Sequence, residues 1–322
     1  MAEISPDPKM PWLPLALDCQ LSQQHLTSIF PGLEKVKKTK LLRHKLGRRA
    51  LIAYHLEADG GERIILGKIR AKGTDYRSYG CQRALWENGF HGHSEDSLSV
   101  PEPLGLVKPW QMWLQRWVPG QLSTNLLLTE PGLPEKVAAL AHKIHSYSVP
   151  TTKIHTIAAE LQILGDRLRE FVHQQPQWQK QIQHFIAQSE RLGKLLEQYS
   201  HPLTTIHRDF YPDQILVDGD RLWLVDLDLY CQGDSALDLG NFIAHMTEYS
   251  LRIWGNPDAM VSQEQTLKTA FLAKQPQNNP YLSQAIDIYI VLTLMRHIAI
   301  SWRIPARRPN IPALIELCGD RL

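Results

Sequence analysis

Long uninterrupted apolar runs, cysteine pairs, repeats and excess charge are all missing from this chain of 322 residues. Its four cysteines, Cys19, Cys81, Cys231 and Cys318, form no CxxC or ligand-spaced pair. That excludes a disulfide framework and a zinc site and fits a reducing compartment. The stretch Met1 to Trp12 carries three prolines and no basic-then-apolar leader pattern. The most apolar late run, Ala285 to Ile300, is interrupted by Asp287, Arg296 and His297, so it reads as a buried helix and not a membrane span. A cytoplasmic protein with no membrane partner is expected. No segment recurs at a fixed period, which excludes solenoids. Net charge is only +2, from 35 Lys and Arg against 33 Asp and Glu. A balance this near zero excludes a chain-wide nucleic-acid or membrane-surface binder and leaves room for a local patch.

What is present falls into two textures. From Thr39 to Val118 the runs are short and β-like: Ala50 to Leu56, then a Gly60-Gly61 hairpin signal, then Arg63 to Ile69. One helix follows at Ser78 to Asn88, with Cys81, Leu85 and Trp86 placed on one face and Gly89 as its cap. After Val118-Pro119-Gly120 the pattern turns helical: Pro134 to Ser146, Thr156 to His173, Trp178 to Tyr199, Ser235 to Tyr249, Gln263 to Leu272 and Tyr281 to Trp302. Short β-like runs at Thr204 to Ile206, Ile215 to Val217 and Leu222 to Val225 interrupt it and carry many carboxylates.

Charge is divided locally. Lys35 to Arg49 holds eight Lys or Arg and no carboxylate, whereas Asp209 to Asp238 holds eight Asp and only Arg221. The run Ile206-His207-Arg208-Asp209-Phe210-Tyr211-Pro212-Asp213-Gln214 is followed, seventeen positions after Asp209, by Asp226 at the end of an apolar run, then Asp228. Converging carboxylates repel unless a cation lies between them, and hard oxygens of this kind select Mg2+ when phosphate is present. Asp213, Asp218 and Asp220 read instead as turn formers.

His207-x-Asp209 with Gln214, then Asp226, resembles the catalytic loop and metal motif of the protein-kinase-like small-molecule kinases, the aminoglycoside phosphotransferase and choline kinase family. Gly233-Asp234-Ser235-Ala236-Leu237-Asp238-Leu239 is similar to that family's next motif. The resemblance implies an α+β, bilobal protein-kinase-like fold: a small β-rich N-lobe and a larger, mainly helical C-lobe. On that frame residues 1–38 form an N-terminal extension packing on the N-lobe, 39–118 the nucleotide-binding lobe, and 119–322 the lobe with catalytic loop and acceptor site. It implies an ATP-dependent kinase using Mg2+. Asp209 orients the acceptor hydroxyl and takes its proton, and Gln214 and Asp226 hold Mg2+, with Asp228 adding a contact or bracing the loop. Lys68 is expected on the α- and β-phosphates, and backbone groups of Arg116 and Val118, in a hinge-like Leu114 to Gly120, on the adenine edge. His207 is expected to prop the loop and Arg208 to pair with a nearby carboxylate.

Departures accompany the likeness. Leu46-Gly47-Arg48-Arg49 has one glycine where a Gly-rich phosphate loop is usual, the helix after Lys68 offers Gln82 and Glu87 in place of a clear glutamate, and Gln214 replaces Asn. These motivate an alternative, a kinase-fold nucleotide-binding or regulatory protein with little turnover. Nucleic-acid binding through Lys35 to Arg49 ranks lower, and the Asp226 to Asp238 segment is too short for a protein kinase's activation loop. The acceptor is a small hydroxyl compound such as a sugar, amino alcohol or aminoglycoside. Leu239 to Leu322, with six acidic and eight basic residues, disfavours a polycation. Tyr230, Tyr249, Trp254, Tyr289 and Trp302 read as core before they read as a cation-stacking surface.

Overall fold

The structure is a computed structural model that describes residues 6–59, 61–147, 151–199, 202–275 and 279–322. In chain order the elements are α1 (Leu13–Ala16), α2 (Cys19–Leu26), β1 (Leu33–Lys45), β2 (Arg49–Ala58), β3 (Gly61–Arg70), α3 (Tyr76–Glu87), β4 (Leu98–Ser99), β5 (Pro103–Val107) and β6 (Met112–Arg116). They continue as β7 (Gln121–Leu122), α4 (Leu133–Ser146), α5 (Ile157–Gln174), α6 (Gln179–Gln198), β8 (Thr204–Ile206), β9 (Ile215–Asp218), β10 (Arg221–Leu224), β11 (Cys231–Gly233), α7 (Ser235–Trp254), α8 (Val261–Ala273), α9 (Leu282–Arg303) and α10 (Ile311–Asp320). The chain divides into two compact units. One comprises residues up to Gly120 with Asp218–Leu227, the other Gln121–Val217 with Asp228–Leu322.

The first unit is built on an antiparallel sheet ordered β1-β2-β3-β6-β5. β2 alternates buried Ile52, Tyr54 and Leu56 with less buried neighbours, the period-2 pattern of a strand with one face on a core. Of the Gly60-Gly61 turn signal, Gly61 opens β3 with φ 113° and Gly60 lies outside the described residues. The basic run Lys35 to Arg49 is mostly an exposed edge: β1 pairs only with β2, and Lys37 sits beside Glu57 and Glu62 at 3.2 and 2.9 Å. Lysines along an edge strand discourage pairing with another chain, which accounts for much of this charge without a polyanion.

Sequence periodicity did not indicate α1 and α2. Both are short, but Met10, Leu13, Ala16 and Leu26 enter the same core as Ile52, Tyr54 and Leu114. Asp18 caps α2 by accepting from the Gln20 and Leu21 amides, each at 2.9 Å. In α3 the buried residues are Ser78, Gln82 and Leu85, so Cys81 and Trp86 are only half-buried and the expected face is rotated toward polar side chains. The parallel pair β4 and β10 is pinned by Arg221, which donates to the Ser94 and Ser99 hydroxyls at 3.0 and 2.7 Å.

In the second unit the six helices read from periodicity all form, and α10 adds one more. α9 is long and apolar enough to cross a membrane, yet 72% of its most apolar window is buried against its neighbours. It crosses α7 at very close range. A Cβ on Gly240 would lie 2.4 Å from the Tyr289 Cβ and 2.9 Å from its carbonyl carbon, so only glycine permits the approach. Gly240→Ala therefore overpacks this crossing and is expected to destabilise the protein by about 1–3 kcal/mol in urea unfolding; an unchanged midpoint would show that the helices separate freely.

Candidate active site

The second unit holds Asp209 on a loop gripped from one helix. The Asp234 side chain caps α7 through the Ala236 amide at 3.0 Å. One turn on, the fully buried Asp238 carboxylate accepts from the His207 amide at 2.8 Å, the Arg208 amide at 2.7 Å and His145 Nε2 at 2.9 Å. A buried carboxylate is tolerated only when so satisfied, and because it only accepts, His145 must carry its proton on Nε2. Three residues further along α7, Asn241 donates to the Phe210 carbonyl at 2.8 Å. Both sides of Asp209 are thus fixed by side chains at i and i+3 on one helix face.

Arg208 occupies the left-handed region with φ 69°, which a long side chain adopts only under constraint. It does not form the expected ion pair: among the described residues no carboxylate lies within salt-bridge distance of its guanidinium. His207 is wholly buried with its ring edge-on to Phe210, in keeping with a loop prop. Asp213 accepts from the Thr124 hydroxyl and Ser123 donates to the Pro212 carbonyl at 2.8 Å, so Asp213 is a loop former as read.

Gln214 is buried and its Nε2 donates to Asp209 Oδ2 at 3.2 Å. Its amide oxygen carries no hydrogen bond among the described residues, which leaves a hard donor beside Asp209. Asp228, half-buried in the turn Leu227–Leu229, opens the second stretch of this unit.

The first unit holds Lys68 and Asp226. Lys68 lies on β3 over the Trp113 ring at 4.6 Å, opposite Trp113 in the β3–β6 register. Burial pushes its amine down to about 8, against the raising influence of Asp226 and Asp75, while Arg70 and Arg49 reinforce the fall. Asp226 has φ 61°, and its carboxylate accepts no hydrogen bond among the described residues. Lys45 shares its field with Asp226. A strained carboxylate without hydrogen-bond partners, surrounded by cations, suits a metal-bridged phosphate. Among the described residues no cluster of three His, Cys, Asp or Glu side chains forms a ready metal cage.

At the hinge-like segment the Arg116 amide is taken by the Glu102 carbonyl at 2.8 Å, and its side chain pairs with Glu102. Arg116 therefore has its carbonyl to offer and not its N–H. Val118 is buried, and its N–H has no hydrogen-bond partner among the described residues. The departures also find partners. Gln82 donates to the Pro101 carbonyl at 2.6 Å, and Glu87 pairs with Arg83 at 2.7 Å, so neither meets Lys68. The N-cap Asp75 supplies the negative charge at that end of α3. Gly47 has φ 64°, but its amide donates to Asp7 at 2.8 Å, which holds that carboxyl below its usual range.

Sequence reasoning missed the brace behind the loop. Arg296 on α9 donates to Asn241 and pairs with Glu160 at 2.8 Å, and His155 bonds the other Glu160 oxygen at 2.8 Å. Burial raises the Glu160 pKa, but Arg296 and His155 outweigh it and hold the group at about 2. Asn241 could have been found, because it follows Asp238 by three positions on an α-helix.

A β-sheet unit carrying a lysine and a left-handed aspartate, with a helical unit carrying a braced Asp-bearing loop, defines a protein-kinase-like α+β phosphotransferase. The model of the phosphotransferase enzyme family matches residues 54–268, and the chain belongs to that family. No curated protein matches it in sequence. Among solved structures it is similar to a choline/ethanolamine kinase family protein from Mesorhizobium loti (TM-score 0.64, 15% identity, 94% of each chain covered). It is also similar to choline kinase from Cryptosporidium parvum (0.66, 11%, 94% of each). A third likeness is to a spectinomycin phosphotransferase in complex with ADP and spectinomycin (0.61, 10%, 95% of this chain and 99% of that one).

The Lys68 amine should gain acylation reactivity through pH about 8 and not through the ordinary 10.5, because burial disfavours its cation. Asp226→Asn removes the largest opposing influence and should move that midpoint lower. Peptide mass spectrometry after pulsed amine labelling reads both, and a midpoint near 10 would contradict the burial of this group.

Proposed function

We propose that the chain transfers the γ-phosphoryl group of Mg-ATP to a hydroxyl of a small molecule. The observation that carries this reading is Asp209, held on both flanks by α7 and lining a cavity with room for an acceptor. Asp209 orients the acceptor hydroxyl and takes its proton as the oxygen attacks phosphorus. Little covalent help is needed in such a transfer, so positioning and charge neutralisation do most of the work. Lys68 binds the α- and β-phosphates, and the Val118 N–H with the Arg116 carbonyl meets the adenine. Gln214 and Asp226 would hold Mg2+, with Asp228 contributing to the same set, and the ion would neutralise phosphate charge. The four free cysteines support a cytoplasmic setting.

The solved structures of similar fold include kinases named for choline, ethanolamine, spectinomycin, amicoumacin, aminoglycosides and macrolides. A nucleotide-binding protein without turnover is the second reading. One observation favours it: the Gly47 amide, available for phosphate in a Gly-rich loop, is bonded to Asp7.

Asp209→Asn should lower ADP formation from Mg-ATP by about 10²–10⁴-fold while leaving the Kd for Mg-ATP within about threefold. A wild-type protein that binds Mg-ATP yet neither hydrolyses it nor phosphorylates any hydroxyl compound would overturn the enzyme reading.

A further inference from the structure

The cavity at Asp209 measures about 690 Å³, and all its lining residues belong to the second unit. Its charge is lopsided. Six arginines line it, Arg167, Arg208, Arg252, Arg296, Arg303 and Arg307, against three carboxylates, Asp209, Asp213 and Glu248. Four of the six have partners: Arg252 with Glu248 at 2.9 Å, Arg296 with Glu160 at 2.8 Å, and Arg167 and Arg303 with Glu170. Arg208 and Arg307 do not. Both are half-buried, and among the described residues neither guanidinium has an ion pair or a hydrogen bond. Arg208 feels the Glu160 carboxylate at longer range, but a guanidinium held partly out of water with neither an ion pair nor a hydrogen bond is costly, and that cost falls when an anion binds.

The carboxylates are occupied in turn. Glu248 is bonded by Arg252, Asp213 accepts from Thr124, and Asp209 accepts from Gln214. Two aromatic rings of the lining already have partners on one face: the Arg252 guanidinium lies over the Tyr249 ring at 5.2 Å, and His245 stacks on Tyr211 at 4.4 Å. His245 and His297 register the same field. Burial first, and then charges including Arg296, Arg307 and Arg252, drives both imidazoles toward the neutral form.

We infer that the acceptor is an anion, a small hydroxyl compound bearing a carboxylate or a phosphate, with its anionic group held by Arg208 and Arg307 while its hydroxyl faces Asp209. This rests on the phosphotransferase reading above. The acceptor oxygen bonds to the γ-phosphorus as the bond from that phosphorus to the bridging oxygen breaks. The hydroxyl proton passes to Asp209, and ADP leaves with the bridging electrons. An amine acceptor would bring a cation against two guanidinium groups that have no ion pair among the described residues.

The test compares ADP formation from Mg-ATP with gluconate and glycerate, with glucose 6-phosphate, with glucose, and with choline and spectinomycin. It uses the wild type, Arg307→Gln and Arg208→Gly. In parallel, calorimetry measures binding of gluconate, glycerate, glucose 6-phosphate and inorganic phosphate without nucleotide. An anionic compound is expected to give the highest kcat/KM. Each variant should raise its KM by about ten- to hundredfold, the usual weight of a charge-assisted contact. Arg208→Gly should do so without lowering the melting temperature, because glycine relieves the left-handed backbone. Whether the hydroxy acids or the phosphates respond identifies the anionic group. A neutral or amine acceptor with the highest kcat/KM overturns the inference and leaves the phosphotransferase reading standing. Anion binding or turnover indifferent to both variants, or no anion binding at all, also overturns it. Anion binding that depends on Arg307, without ATP turnover in any acceptor, upholds the anion site but fails the phosphotransferase reading and, with it, the assignment of that anion as an acceptor.

Discussion

The Asp238 carboxylate is the contact on which the site depends. It lies fully buried on the first turn of α7 and is satisfied by two consecutive backbone amides and one imidazole. Those amides belong to the two residues before Asp209, and Asn241 holds the carbonyl of the residue after it. The helix therefore fixes the loop at both shoulders and leaves Asp209 to project into the cavity. Left-handed backbone at Arg208 costs energy, which the paired amide bonds to Asp238 offset. Behind Asn241, the chain through Arg296, Glu160 and His155 ties the same grip to α5 and α9. Neutralising a member of such a network leaves a buried charge without its partner, so its members act as a group.

A different balance governs the first unit. Lys68 is made less basic by burial, and the carboxylates that oppose this are Asp226 and the helix cap Asp75. Gln82, one of two polar residues buried on α3, donates to the Pro101 carbonyl and to Gln115. Among the described residues no carboxylate forms a salt bridge with Lys68, which has a cation–π contact with Trp113. Polyphosphate would supply the negative charge that this unit withholds from its lysine.

Much of this was legible in the sequence where the signal is local. Asp209, Gln214, Asp226 and Asp238 stand close together in one short segment, and α4, α5, α6 and α7 show sustained apolar periodicity, whereas α9 is apolar on most faces. α1 and α2 were not legible, because helices this short gain stability from packing on the sheet and not from an apolar stripe of their own. The face of α3 was misplaced because its buried positions include Ser78 and Gln82, polar residues whose burial depends on partners far along the chain. The arginine lining was hidden for a related reason. Its members come from α5, the catalytic loop, α7, α9 and the turn after α9, and only the fold collects them. The eight basic against six acidic residues after Leu239 gave the sign of that cavity but not its location.

The account stands or falls on whether the loop gripped by Asp238 is the one that turns over ATP. The most direct measurement pairs backbone amide exchange at His207 and Arg208 with the rate of ADP formation, in wild type and Asp238→Asn. An asparagine has one acceptor oxygen in place of two and turns an N–H toward a donor, so at least one of the two amides loses its bond. The account predicts that amide protection and turnover fall together, while Lys68 reactivity in the first unit is unchanged. Turnover that persists at the wild-type rate after both amides have lost protection would contradict it.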